Sequence, residues 1–453
     1  VMNIFKLSLL NCAVSLALLS AGAQAATVDV SKLGTELTPF GAEKAGNADG
    51  SIPAWTGGLT KAPEGWAPGH GDPYAGDKPL YSIDAGNLAQ HEAELPPGQV
   101  QLIKTYPGYR MDVYPTHRSC TFPDQLAQRT REFAGQSRIA ADGWQLEQAP
   151  GLAIPFPMPQ SGVEVMWNYK LRYMGKGRRV QASLLLREKS GTLSEFKQWD
   201  YEYYPYNDPA VKSPADAGGY EAKLLYDVLS PSSRAGEMYL VHGYLDKPQD
   251  SWIYFPGQRR VRRAPSFAYD NPIAGTDSLF FVDQMNMFTG ALDRYDFKLI
   301  GKREMVVPYN SYKLVDKSNK YADLVGPDYL NRDVQRYEKH RVWVVEGTVK
   351  ADKRHSFAKR VFFIDEDSWA LLHVDMYDAK GNLWRVQEGT LWADPQLQAC
   401  TNFEYTSYDL IARRYIADYF TQEGEVLDLT AAQDGRVSDK MFNPNELRRR
   451  GER

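Results

Sequence analysis

From Arg179 onward, apolar and polar positions alternate with period two. Val180, Ala182, Leu184 and Leu186 alternate with Gln181, Ser183 and Arg187, which predicts a strand with one buried face. Lys189-Ser190-Gly191-Thr192 turns the chain into a second strand that reaches Tyr204. The same pattern predicts strands near Ala222–Leu229, Glu237–Tyr244, Tyr295–Leu299, Arg341–Val349 and Lys359–Ile364. A hairpin meander follows from Trp369 through Leu383 to Trp392, with a last strand over Tyr408–Tyr419. About ten strands joined by short turns predict a mainly β (α+β) protein built on one large antiparallel sheet, and sheets of that size curl into a half-barrel.

One stretch departs from simple alternation. In Asp250–Arg263 both faces are apolar, with Trp252 and Tyr254 on one side and Ile253 and Phe255 on the other. Pro256-Gly257 then turns into a strand carrying Arg259, Arg260, Arg262 and Arg263 around Val261. A sheet with a core on one face and an apolar cavity on the other needs such a strand, and the arginines would stand at the mouth. They suit an anionic head group or a docking partner, and they equally suit a solvated edge strand guarded by charge. Ser278–Phe288 is too apolar for an exposed loop. Phe280, Phe281, Met285, Met287 and Phe288 predict a short helix or lid on the concave side, or a core helix.

Ahead of the strands, Pro123–Arg138 predicts a short polar helix with proline in its first turn. Ser161 and Glu164 form a capping box for a second helix that Gly175 would stop. Trp167 lies on its apolar stripe, as a core residue or as part of a cavity wall. Residues 26–122 are rich in glycine, proline and aspartate. They predict an irregular arm laid over a single domain of residues 123–453, with Trp55 docked on the body.

Residues 1–25 read as a secretory signal, with Lys6, an apolar run and Ala23-Gln24-Ala25 as the cleavage site, so an exported protein is expected. No later run is long and apolar enough to cross a bilayer. The formal net charge of -4 speaks against a nucleic-acid partner. Removal of the leader takes Cys12 with it and leaves Cys120 and Cys400, as a disulfide or as two buried thiols. If bridged, they would close a loop of 280 residues, worth about 5 kcal/mol in the chain-entropy model.

Catalytic and cofactor signatures are missing. The 7 histidines show no zinc spacing, and no nucleophile elbow, P-loop or dinucleotide fingerprint occurs. Asp365 and Asp367 fall in a tight turn, where solvated carboxylates are expected rather than ligands. Paired carboxylates of a glycosidase are set by space, so the sequence alone leaves that class open. The expectation is a non-enzyme with no cofactor and no metal.

Five blocks, LGTELTPFGAEKAGNADGSIPAWTGG, DVYPTHRSC, WIYFPGQRRVRR, DRYDFKLIGKREMVVPYN and VFFIDEDSWALLHVDMYDAKGNLWRV, carry a further signal. They resemble an uncharacterised family of exported Gram-negative proteins, a domain of unknown function classed with the outer-membrane lipoprotein-sorting, LolA/LolB-like fold. That resemblance implies a curved half-barrel whose helices close the concave face around an apolar cavity. It also implies partners, an inner-membrane transporter of the RND/MMPL type and an outer-membrane protein. The expected function is a periplasmic carrier of a lipid or other hydrophobic molecule towards the outer membrane; the alternative is an adaptor that docks on a transporter without cargo. Trp252, Tyr254, Phe280, Phe281, Met285, Met287, Phe288 and Trp167 would line or lid the cavity. Arg259, Arg260, Arg262 and Arg263 would meet the head group or partner.

Overall fold

The alternation after Arg179 becomes two antiparallel meanders within one sheet. The computed structural model describes residues 28–188, 190–424 and 426–452, so the expected leader lies outside the described residues. The first meander runs Gly177–Arg187, Leu193–Tyr203, Tyr220–Val228, Met238–Tyr244, Asp250–Phe255 and Arg260–Arg263. The second runs Tyr295–Pro308, Tyr337–Val349, Lys359–Asp365, Leu371–Tyr377, Leu383–Gly389, Tyr405–Asp409 and Arg414–Phe420. They join where the last strand of the second pairs antiparallel with the first strand of the first, Ile416 opposite Leu186. The sheet is curved and open; Arg260–Arg263 is an edge at one end, and at the other end Tyr295–Pro308 is an edge beside Tyr337–Val349, which also carries the arm strands Met111–Val113 and Tyr81–Ile83.

Both faces of the sheet are covered. Val180, Ala182 and Leu186 pack into the main core with the helix Gly162–Lys170, while Leu185 points the other way into a second core. That second core is supplied by the arm, through Val100, Leu102 and Ile103 of the helix Pro97–Thr105. The helix sits so close that a Cβ on Gly98 would fall 2.1 Å from Asp375 Oδ1. The arm is therefore less irregular than its composition suggests. Its strands Tyr81–Ile83 and Met111–Val113 pair with each other, and Val113 meets Tyr337 in parallel register. Beyond the arm, the C-terminal helix Pro444–Gly451 covers the far end of the same face.

Local chemistry explains the element ends. Ser161 caps its helix by accepting from the Glu164 amide at 3.4 Å, but the helix stops at Lys170, short of Gly175. Trp167 is buried, with its indole N–H donating to the Trp144 carbonyl at 2.7 Å. The polar helix runs Asp124–Phe133 with Pro123 just outside it. The single strand expected over Tyr408–Tyr419 is instead two. Asp409 Oδ1 accepts from the amides of Ile411 and Ala412, at 3.1 and 2.8 Å, and so folds the chain into a turn.

Cys120 and Cys400 form a disulfide with Cα atoms 5.4 Å apart, tying the end of the arm to the strand Ala399–Thr401. Trp55 docks beside it, its indole N–H donating to the Cys120 carbonyl at 3.1 Å. Replacing both cysteines by serine is expected to lower stability by about 2–5 kcal/mol. Urea unfolding of wild type and double variant checks this; equal midpoints would show that the arm needs no tether.

Candidate functional site

Residues 264–294 join the two edges of the open sheet, so this segment has to cross the concave face. Its apolar side chains Phe280, Phe281, Met287 and Phe288 enter the main core, and Val282 is buried beside them in sequence. The approach is tight over the second meander, where a Cβ on Gly389 would lie 2.7 Å from Met287 Sδ. The backbone here is a short 3-10 stretch, Val282–Met287, broken by left-handed Asn286 and Met287.

Two adjacent polar residues fix the crossing. Asp283, 2% exposed, takes Arg360 Nη2 on both oxygens at 2.8 Å and His355 Nε2 at 2.8 Å. Burial alone would push its carboxyl up; Arg360 and His355 hold it down at about 2. Gln284 is fully buried and bonds in three directions. Its amide donates to Ser407 Oγ at 2.9 Å, its side-chain oxygen accepts from Arg385 Nη1 at 2.8 Å, and its carbonyl accepts from Gln387 Nε2 at 2.8 Å. Arg385 also reaches the Ser278 carbonyl at 2.6 Å. Arg360, Arg385, Gln387 and Ser407 all stand on second-meander strands, so the clamp belongs to that half of the sheet.

Over the first meander the segment leaves a cavity of about 190 Å³. One water needs roughly 10–15 Å³ by the same measure, so the space is more than ten times that. Its floor is the concave face of successive strands: Leu184, Phe196, Tyr226, Val228, Tyr239 and Ile253. Cross-strand register confirms the common face, pairing Leu184 with Phe196, Tyr226 with Tyr239, and Tyr239 with Ile253. Phe267, Ile273, Phe280 and Met285 of the crossing segment form the roof. Leu184, Phe196, Tyr239, Ile253, Phe267, Ile273 and Met285 are only half-buried, and all seven line this space. Asp418 is the acidic group in the wall. Protein encloses it on all sides but the cavity, and this desolvation raises its pKa to about 6, although Tyr405 O–H donates to it at 2.5 Å.

Of the residues singled out from sequence, Phe280 and Met285 line this cavity. Phe281, Met287, Phe288 and Trp167 instead fill the core beside it. Trp252 and Tyr254 face the other side of the sheet, under the C-terminal helix, where Tyr254 O–H donates to the Gly451 carbonyl at 2.9 Å. Strand alternation puts Ile253 in the cavity position instead. Arg259, Arg260, Arg262 and Arg263 are exposed on the sheet edge. Arg260 opposes Phe255 and Arg262 opposes Ile253, so these two share the cavity face; Arg263 opposes Trp252 and pairs with Asp250. Arg259 sits in the turn with φ 50. The floor residues on Leu193–Tyr203 and Tyr220–Val228 were missed; their signal was the apolar alternate positions of strands whose other face is also covered.

The Asp365-Glu366-Asp367 turn corrects the expectation of solvated carboxylates, since all three are buried. Arg118 grips Asp367 with two bonds of 2.8 and 2.7 Å, and Lys302 and Arg341 meet Glu366 at 3.2 and 3.4 Å. His340, Asp365 and Asp367 lie close enough to share a cation. Arg118 already occupies Asp367, however, and His340 is bonded to Glu338 at 3.0 Å. The cluster anchors the arm to the sheet.

A family model described as a protein of unknown function, DUF1329, matches residues 82–448. An uncharacterized protein of Pseudomonas aeruginosa, PA3922, is 41% identical over 434 residues, 94% of each chain. Among solved structures, a putative outer membrane lipoprotein-sorting protein domain from Vibrio parahaemolyticus has a TM-score of 0.44 at 16% identity, over 63% of this chain and 98% of its own. A DUF1329 family protein from Desulfovibrio piger has a TM-score of 0.40 at 15% identity, over 62% of this chain and 98% of its own.

Asp283→Asn should cost about 3–5 kcal/mol, because it leaves Arg360 buried without its carboxylate. In the wild type the Asp283 contribution is fully present above its unfolded pKa of 3.8 and is lost as the pH falls through about 2. Denaturant titrations at pH 7 and pH 3 check both, and an unchanged midpoint for D283N at pH 7 would contradict the clamp.

Proposed function

The chain belongs to the DUF1329 family, proteins of unknown function, and on that premise we propose that it is a periplasmic carrier sheltering a lipid or other hydrophobic molecule in the first-meander cavity. The observation that carries this function is the half-exposed apolar lining. Seven apolar side chains turn towards one another across a space that no protein atom fills. Well-packed interiors do not leave such space unless something occupies it. Each buried methylene of a guest contributes about 0.8 kcal/mol. Such binding needs shape and apolar surface and no nucleophile.

Arg260 and Arg262 stand at the rim on the cavity's side, exposed and, among the described residues, without an ion pair. They suit an anionic surface met during loading or release. A transporter of the RND/MMPL type and an outer-membrane acceptor are the partners this carrier would work between. The same two arginines favour the second function, an adaptor that docks through this edge and carries nothing. Among the described residues, no helix is long and apolar enough to cross a membrane.

Displacement of a fluorescent fatty-acid probe tests the carrier. Ile253→Trp and Met285→Trp fill the space from floor and roof and should weaken binding at least about tenfold, an effect of about 1.4 kcal/mol. Charge reversal at Arg260 and Arg262 should leave probe affinity within about twofold. Equal probe binding by wild type and both tryptophan variants would remove the cavity from the account and leave the adaptor. Asp418 adds a pH dependence: below about 6 its carboxyl is neutral, and above it a negative charge joins the Lys197 and Arg234 cations already in the cavity wall. Affinity for an uncharged apolar guest should therefore fall as the pH rises through about 6, and Asp418→Asn should flatten that profile.

A further inference from the structure

On the other side of Met285 lies a second, polar pocket of about 50 Å³, lined by Arg172, Arg178, Lys170, Glu221, Asn286 and Asn402 among others. Its charges do not balance. Lys170 Nζ pairs with Glu221 at 2.9 Å, and Arg178 Nη2 pairs with Glu202 at 2.7 Å. Arg172 is 6% exposed and touches only neutral acceptors, the Tyr169 carbonyl at 2.7 Å and Asn402 Oδ1 at 2.9 Å. Its Nε has no hydrogen-bond partner, and neither do Nε and Nη1 of Arg178, which is 1% exposed. Two buried guanidiniums thus share one pocket with one directly bonded carboxylate, Glu202, between them and three donors without a hydrogen-bond partner.

A buried, unpaired cation is expensive, and so is each unused buried donor. Planar guanidiniums with free N–H groups are suited to bind carboxylate or phosphate oxygens in two-pronged fashion. The pocket is about four times the space one water needs, enough for a single small oxyanion and no more. It borders the apolar cavity through one stretch of backbone: Met285 lines the cavity, and Asn286 and Phe288 line the pocket. Asn286 is held from both sides, its amide donating to Tyr405 Oη at 3.0 Å and its carbonyl accepting from Tyr169 O–H at 2.5 Å.

We propose that Arg172 and Arg178 form a binding site for a singly charged oxyanion, the carboxylate or phosphate group of an acidic ligand. Resting on the carrier function above, the site specifies the guest as an acidic amphiphile whose head meets Arg172 and Arg178 while its tail occupies the neighbouring cavity. Glu221, Glu202, Lys170, Tyr169, Tyr204 and Tyr419 surround the pocket, with Lys170 on Glu221 and Arg178 on Glu202; Glu404 and Asp200 lie within electrostatic reach of Arg178, and burial raises the pKa of both carboxyls, which favours their neutral form.

The test compares dodecanoate with dodecanol as displacers of a fluorescent probe, alongside melting temperatures in acetate and in inorganic phosphate. The wild type should bind dodecanoate about 10- to 100-fold more tightly than dodecanol, a range set by hydrogen bonds to a charged group. Arg172→Met should erase that preference and leave dodecanol binding unchanged. Acetate or phosphate alone should raise the wild-type melting temperature by about 2 °C or more and leave R172M unmoved. Asn402→Asp provides an independent variant, because it places a carboxylate on Arg172 from within, at the loss of the Asn402 Nδ2 bond to the Leu371 carbonyl at 3.1 Å; it should lose the anion response. Equal affinity for acid and alcohol in the wild type overturns the oxyanion site and leaves the carrier standing. If neither amphiphile binds while the anion shift is present in wild type and absent in R172M, the site stands and the carrier falls. Anion shifts that are equal in wild type, R172M and N402D, or absent from all three, overturn the site.

Discussion

The pairing of Asp283 with Arg360 and His355, and of Gln284 with Arg385, Gln387 and Ser407, is the constraint on which the concave side depends. The edge strands Arg260–Arg263 and Tyr295–Pro308 lie at opposite ends of the two meanders and follow one another in sequence, so the chain between them must bridge the sheet. An apolar bridge alone would slide, because dispersion contacts are non-directional. Buried polar groups are directional, and leaving any of them unmet costs more than the bond contributes. Six hydrogen bonds among these groups, concentrated over one half of the sheet, therefore seat the bridge in one place. It is pressed down there, against Gly389, and clear of the floor over the other half. The cavity follows from where the anchors are.

The opposite face has to be rigid for that arrangement to persist. The arm places Val100, Leu102 and Ile103 against Leu185, Val386 and Ala417, and the Cys120–Cys400 disulfide closes its far end. Arg118 binds Asp367 and also donates to the Glu43 carbonyl at 2.7 Å, so arm and sheet share one buried ion-pair network. The C-terminal helix completes the cover over Leu225, Leu240 and Tyr254. With these covers in place, the convex side holds the sheet's curvature while the crossing segment leaves its cavity on the concave side.

Much of this was legible in the residues. Alternation at Val180–Leu186 and Tyr295–Leu299 specified strands and their buried faces, and the run Phe280-Phe281-Val282 with Met285 and Met287 marked a segment bound for the concavity. What stayed hidden was set by three-dimensional closure. Nothing local to Trp252 and Tyr254 says which face of a doubly apolar strand meets a cavity. The C-terminal helix decides it, and its Leu447 lies far along the chain. The acidic turn at Asp365–Asp367 has the composition of a solvated loop, and only the arrival of Arg118 from the arm makes its burial possible. Arg172 carries no sequence signal at all; its isolation from carboxylates appears only once the helix end, the strand start and Asn402 come together.

Charge is distributed in two tiers around the cavity: exposed arginines on the edge strand, where salt screens them, and buried guanidiniums beside Met285, where it does not. Such a gradient fits a molecule that is met at the rim and held inside. Mass spectrometry of the material extracted from protein purified from its native host, without detergent, tests the central claim most directly. The account predicts a bound hydrophobic molecule at close to one per chain. Protein that is consistently empty, yet folded with its disulfide intact, would contradict it.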